Sequence, residues 1–319
     1  MTRANPLLPF LSVTTGIATF SVMDALMKSA SIAGGVYNAL LLRSAVGSLL
    51  MLPIWLLARG RWPRLTVLRI HALRSAVVAA MAGLFFWALV RLPMAEAMAL
   101  SFIAPLIALY LAAVVLGETI RPAAIVASLL GLAGVAVITA ARFGAGNQAD
   151  AAPAIAAVLL SAFLYAWNLI LQRQQALVAS PFDVALFQSL FMGLILLIAA
   201  PVLMLIRIQV FGLAVIPVWN PVPDWPSMAV LRDVAGAAVL AAISLMLLSW
   251  GYARAEAQAL VPLEYTAFVW AALAGWFWFG EAVAATTIAG TALIVLGCWI
   301  ATRESGIPHV PATNLPPAP

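Results

Sequence analysis

Residues 260–282, LVPLEYTAFVWAALAGWFWFGEA, form a run apolar on every face, with Glu264 as the ionisable residue at the depth of hydrocarbon. A run of this length matches the roughly 20 apolar residues that a helix needs to cross a bilayer. No water is available there, so the backbone must bond to itself, in a helix or a closed barrel. The run occurs twice. Residues 97–119 read AMALSFIAPLIALYLAAVVLGET, and a constant offset of 163 carries Leu100 onto Leu263, Phe102 onto Tyr265 and Gly117-Glu118 onto Gly280-Glu281. The same offset carries Trp62-Pro63 onto Trp225-Pro226, Trp87 and Arg91 onto Trp250 and Arg254, and Gly134 onto Gly297. The chain is a duplicated membrane protein, and its chemistry is expected between the two copies.

Composition agrees with that reading. Charged residues make up 8% of the 319-residue chain and mean hydropathy is +1.10, against roughly 25% charged residues in soluble domains. Such a chain cannot coat a globule with charge, so its outer surface faces lipid. The net charge of +5 does not point to nucleic acid. Fifteen of the sixteen cations are Arg and most lie between apolar runs, which suits the cytoplasmic bias of basic loops. A lone Cys298 excludes an internal disulfide, and no Cys/His cluster offers a metal site or implies a cofactor. The first apolar run, from Leu7, is too long for a signal peptide and carries Asp24 and Lys28 at its far end. It is read as a retained helix.

Ten apolar runs emerge, at approximately 9–29, 36–57, 71–90, 95–116, 122–141, 153–173, 181–204, 232–252, 258–279 and 284–302. Period-2 alternation is absent, which favours helices over a barrel. The expected fold is an all-α integral membrane protein of ten transmembrane helices. A first five-helix repeat covers 1–149 and a second covers 150–303, and a disordered cytoplasmic tail covers 304–319. Arg59, Arg61, Arg64, Arg69 and Arg74 gather around the break between the second and third runs, which is therefore cytoplasmic. With Arg3, Arg121, Arg173, Arg254 and Arg303 this gives ten inside against four outside, Arg91, Arg142, Arg207 and Arg232. Both termini are then cytoplasmic, in a bacterial-type inner membrane. A five-helix unit repeated head to tail points the opposite way the second time, the inverted arrangement that secondary transporters use around a midplane substrate site. Earlier in the copies the best offset is 144 or 145: Asp24 meets Asn168, Lys28 meets Gln172, and Arg43-Ser44 meets Gln188-Ser189. The rise from 145 to 163 leaves 18 inserted residues near 207–223, an expected external loop.

These features resemble the drug/metabolite transporter superfamily, and within it the EamA-like family. The resemblance rests on the two-fold five-helix repeat, on Pro262-Leu263-Glu264-Tyr265 followed by aromatic and small residues up to Gly280-Glu281, and on the small-residue helix reaching Gly297. Phe20 through Met23-Asp24-Ala25 to Lys28 is similar to the first helix of a bacterial subgroup associated with organic metabolites. The resemblance covers residues 9–302. It implies ten helices, a central cavity and carrier-type transport, with export of amino acids and related metabolites a recurring theme. At Phe268 the repeat lapses, because the first copy has Pro105, so the two halves need not kink alike.

Asp24, Lys28, Arg43 and Glu264 are charges inside apolar runs. At about 2.5–3.5 kcal/mol each, four unpaired central ions would cost on the order of 10–14 kcal/mol. That rivals the stability of a whole domain, about 5–15 kcal/mol. They must be paired, near an interface, or facing water. Asp24 and Lys28 share one helix face four residues apart, and form either an internal salt bridge or a substrate or proton site. Arg43 is either a clamp on backbone carbonyls or on Asp24, or a substrate group. Glu264 follows Pro262, whose missing N–H frees a carbonyl, and it either lines a cavity or packs as a neutral carboxyl. Glu118 and Glu281 sit just before the fifth and tenth runs, where an acid caps a helix. Tyr165, Asn168 and Gln172 decorate the sixth run, Trp87 and Trp250 occupy equivalent sites, and Tyr265 and Trp270 flank Glu264. The aromatic residues either stack on substrate or pack helices. The candidate substrate-binding or coupling residues are Asp24, Lys28, Arg43, Trp87, Tyr165, Asn168, Trp250, Glu264 and Tyr265, with no catalytic set.

The expected function is an inner-membrane secondary transporter moving a small organic metabolite by alternating access, an amino acid first and a nucleoside-like or amphipathic compound next. The expected partners are a small-molecule substrate and the bilayer, not nucleic acid, and homodimerisation is left open. No Walker motif is present to couple ATP. An intramembrane lipid-modifying enzyme is the competing class, but His71 lies at a run edge and His309 in the tail. A structural membrane subunit is the third, and it has no use for a buried Asp24 or Glu264.

Overall fold

The computed structural model describes residues 7–104, 106–107, 110–111, 122–144, 148–205, 209–210, 213–214, 226–254 and 263–304. Among them are ten helices: α1 (Leu7–Gly34), α2 (Val36–Leu57), α3 (Leu65–Leu89), α4 (Met94–Ser101), α5 (Pro122–Gly144), α6 (Gln148–Val178), α7 (Pro181–Leu205), α8 (Met228–Tyr252), α9 (Ala267–Phe279) and α10 (Ala285–Glu304). A two-residue hairpin, β1 (Gln209–Val210) against β2 (Leu213–Ala214), falls in the inserted segment. The tail beyond Glu304, Glu118 and Pro262 lie outside the described residues.

Among the described residues six helices hold stretches long and apolar enough to span a bilayer, and α5, α9 and α10 hold shorter ones. Their faces are inverted relative to a bundle in water. Leu49, Leu57 and Phe277 are largely exposed, whereas His71, Arg74, Asn168 and Gln175 are buried. Hydrocarbon accepts the first set without cost, and the second set finds its hydrogen bonds inside the bundle.

The neighbours follow the duplication. α1 packs on α8, α3 on α6, α2 on α7, and α5 on α10. Exchanging the first five helices for the last five turns α1 on α8 into α6 on α3 and leaves the other two pairs as they are. Small residues permit the closest crossings. A Cβ on Gly134 would stand 2.5 Å from the Gly290 carbonyl oxygen, and one on Gly290 would stand 2.6 Å from that of Gly134. Gly134 thus meets Gly290 rather than Gly297, its counterpart in sequence.

The fourth and ninth runs, each expected as one span with a proline in it, Pro105 and Pro262, are both interrupted. Beyond α4, Phe102 N–H bonds the Ala99 carbonyl at 3.2 Å and Leu106 N–H bonds that of Ile103 at 3.1 Å. Before α9, Thr266 N–H bonds the Leu263 carbonyl at 3.0 Å and Val269 N–H bonds that of Thr266 at 3.0 Å. These are tight 3₁₀ turns, and Phe102 and Tyr265 hold equivalent places in them. In the first copy Pro105, itself outside the described residues, has by its chemistry no N–H to offer Ser101. In the second, the Thr266 hydroxyl bonds the same Leu263 carbonyl at 2.6 Å, which a continuous helix would reserve for residue 267. Despite the lapse at Phe268, the 3₁₀ turns fall at equivalent places in the two halves.

α9 ends on Gly280 at φ +63°. Gly280 N–H bonds the Trp276 carbonyl at 3.0 Å and Glu281 N–H that of Gly275 at 3.1 Å. This left-handed cap is free of strain only for glycine, and it fixes where Glu281 leaves the helix.

Candidate functional site

α1, α2, α3, α6, α7 and α8 surround a cavity of about 240 Å³, and the two interrupted segments complete its wall. Much of the wall is apolar. Phe20, Phe85 and Phe86 contribute rings, Met23 and Met192 contribute thioethers, and Phe102 meets Tyr265 edge to face at 5.2 Å. Four charged residues reach it: Asp24, Arg43, Arg74 and Glu264. Tyr165, Asn168 and Tyr265 also line it, so six of the nine candidate residues come together here.

Two of the four charges are satisfied by protein. The Glu264 carboxylate accepts from the Tyr252 hydroxyl at 2.5 Å and from the Tyr165 hydroxyl at 3.3 Å, which ties α8 and α6 to the turn before α9. Arg74 donates to Asn168 at 3.0 Å, to Gln172 at 3.3 Å, and to Gln175. The Gln175 amide nitrogen in turn stands 2.5 Å from His71 Nδ1. Arg74 therefore does not belong with the loop arginines, as its place near the start of a run implied; it is buried in the bundle. Four amide and imidazole groups make its burial affordable.

The other two charges have no strong partner among the described residues. There Arg43 reaches only sulfur, Met192 at 3.2 Å and Met23 at 3.9 Å, and a thioether is a weak acceptor. The expected clamp of Arg43 on carbonyls or on Asp24 is not formed among the described residues. Asp24 and Arg43 feel each other's charge, but the close ion pairs among the described residues are Lys28–Glu281 and Arg232–Asp233. Gln188, which holds the position of Arg43 in the second half, also lines the cavity. It is buried, and neither atom of its amide has a partner among the described residues. Its alignment with Arg43 was the available signal.

Lys28 lies outside the cavity and does not pair with Asp24. Its ammonium donates to Glu281 at 2.5 Å and to the Leu92 carbonyl at 2.8 Å, and stands 4.9 Å from the Phe279 ring. Neither does Glu281 cap its own helix, which begins at Ala285. Its second oxygen accepts from Met94 N–H at 2.7 Å and so caps α4 instead. The left-handed turn at Gly280 aims it there. Trp87 and Trp250 are also absent from the wall. Each carries a guanidinium on its ring, Arg91 at 3.9 Å and Arg254 at 4.3 Å, and each arginine bonds the carbonyl of its own Trp. The two halves repeat one cation–π device, which accounts for both tryptophans through packing.

Comparisons with known proteins agree on the class. The chain matches the EamA-like transporter family over residues 8–140 and 152–303. It is 28% identical over 290 residues to the pseudopaline exporter CntI of Pseudomonas aeruginosa strain PAO1, covering 89% of this chain and 92% of that protein. The exporter of the same name from strain UCBPP-PA14 is 27% identical over the same shares. A protein crystal structure superposes with a TM-score of 0.60 at 23% identity, over 92% of this chain and 96% of the other, and shares its fold. With a cavity that admits four charged side chains inside a lipid-facing helical bundle and both halves matched, the chain belongs to the EamA-like transporter family, as a multi-pass membrane transporter rather than an enzyme.

Proposed function

We propose that this protein is an inner-membrane secondary transporter that exports a small organic metabolite by alternating access. The cavity between the two halves carries the reading, because Asp24 and Arg43 bring opposite charges into it without closing on each other. Its volume of about 240 Å³ lies below the roughly 300–1,000 Å³ of drug-sized sites, which suits a metabolite the size of an amino acid. The aromatic and thioether wall favours, as a second reading, a nucleoside-like or amphipathic compound. Export is the direction that the relatives, both pseudopaline exporters, suggest.

A carrier also needs a closure at each end of its site. Glu264 and Glu281 flank the 13-residue α9, a helix about 20 Å long. One closure is the Lys28–Glu281–Met94 contact, and the other is the Tyr252–Glu264–Tyr165 contact beside the Arg74 cradle. Ten spans in two inverted repeats, with both termini cytoplasmic, complete the reading. The exchange symmetry of the helix neighbours and the equivalent 3₁₀ turns support it. So does the arginine bias, which after removal of Arg74 stands at nine against four. The Lys28 closure then faces outward.

The test is counterflow in proteoliposomes preloaded with amino acids, nucleosides or organic cations in turn, with and without a pH gradient. Accelerated exchange of an amino acid is expected. Exchange no faster than in protein-free vesicles for every compound would reject the reading.

A further inference from the structure

We propose that Arg43 and Gln188 together form a carboxylate-binding subsite, with Asp24 as its ammonium-binding counterpart, so that the cavity selects substrates carrying both groups. This rests on the reading of the cavity as the transport site. Glu264 and Arg74 already hold internal partners. The groups left over are Asp24, Arg43 and the Gln188 amide, and their chemistry is complementary to a zwitterion.

Arg43 carries five N–H donors in a planar fork and, among the described residues, has only two thioether sulfurs to receive them. A carboxylate is the group that such a fork matches in both charge and geometry. Gln188 is 5% exposed and its amide has no partner at either end among the described residues. Position 43 plus the repeat offset of 145 is 188, and α2 packs on α7, so equivalent side chains enter one cavity from opposite halves. Met192, one turn beyond Gln188 on α7, touches Arg43 Nη2 at 3.2 Å, which sets the guanidinium beside that helix. Asp24, on α1, is an acceptor only. It feels the Arg43 charge without contacting it. A ligand bearing both groups supplies each buried charge with its counter-ion. A ligand bearing one leaves the other charge uncompensated, which is the costly arrangement.

The test uses purified protein and three probes: L-phenylalanine, phenethylamine, which lacks the carboxylate, and hydrocinnamate, which lacks the ammonium. The zwitterion should bind about 10- to 100-fold more tightly than either, the range for one hydrogen bond to a charged group. Arg43→Gln should erase the preference over phenethylamine, and Asp24→Asn the preference over hydrocinnamate. Gln188→Leu should weaken both carboxylate probes without lowering the thermal midpoint, since the amide has no internal bond to lose. A merely structural Gln188 would lower the midpoint and leave the preference intact, which overturns its part. Should Arg43→Gln fail to fold, Arg43→Lys and Gln188→Leu carry the same comparison. Wild-type protein that holds the amine or the acid as tightly as the zwitterion, or binds none of the three, overturns the proposal. Counterflow separates the two ideas. Exchange of some metabolite without these preferences removes the subsite and leaves the transporter reading standing. Exchange of none removes the transporter reading whatever the binding result.

Discussion

Glu264 receives a hydroxyl on each oxygen, from two different helices, so charge and neutral forms of this side chain hold the bundle differently. Glu264→Ala leaves the Tyr165 and Tyr252 hydroxyls without their acceptor, at about 1–3 kcal/mol each, and should lower the thermal midpoint. Glu264→Gln keeps an acceptor oxygen and should fold normally, while counterflow loses its response to pH. A Gln variant whose counterflow tracks pH like the wild type would remove the carboxylate from coupling. Six candidate residues were legible in the sequence for one reason: hydrocarbon cannot solvate a polar group, so polar groups in an apolar run must face inward. That argument identifies the depth of a residue and not its partner. Lys28 was matched to Asp24 because four-residue spacing reveals only local neighbours, whereas its acceptor lies 253 residues away. Arg74 was hidden among loop arginines, since a run's edge looks the same whether the side chain turns out or in. Trp87 and Trp250 carried a better signal than their aromaticity. Each has an arginine four residues on, in both copies.

The two interrupted segments place Phe102, Tyr265 and Glu264 in the cavity wall, and sequence marked each with a nearby proline without giving the turn itself. Pro105 is visible as a missing donor, but the Thr266 hydroxyl taking the Leu263 carbonyl is a side-chain choice that no periodicity records. The turn after α9 has the same character. Gly280-Glu281 looks like a cap for the next helix, and only the left-handed geometry directs the carboxylate backward over Gly275. A Cβ on Gly275 would stand 2.5 Å from Glu281 Oε2. Gly275→Ala should therefore dislodge the carboxylate from Lys28 and Met94 with a single methyl group. Removing one member of a buried pair costs about 3–5 kcal/mol, whereas replacing both is often near neutral. Lys28→Met and Glu281→Gln should each lower the thermal midpoint clearly, and the double variant should recover part of the loss. Additive losses would mean that the two side chains do not act as a pair.

At the scale of the molecule, the duplication was read from Trp, Pro, Arg and Gly positions, and the helix neighbours repeat it. The proposed orientation rests on arginine bias and is open to direct labelling. In a Cys298→Ser background, Thr66→Cys at the start of α3 should react with an impermeant thiol reagent only from the cytoplasmic side. Met228→Cys at the start of α8 should react only from outside, and labelling of both from one side would contradict the inverted arrangement. The cavity as the route of transport is the claim on which the rest depends, and α8 offers a paired test of it. Ala241 lines the cavity, whereas Val239, two residues earlier, is exposed on the outer face. Counterflow of the metabolite that exchanges fastest should be measured for Ala241→Trp and Val239→Trp, each first shown to be monodisperse. The account predicts that Ala241→Trp falls to the protein-free background while Val239→Trp exchanges like the wild type; full exchange through Ala241→Trp would contradict it.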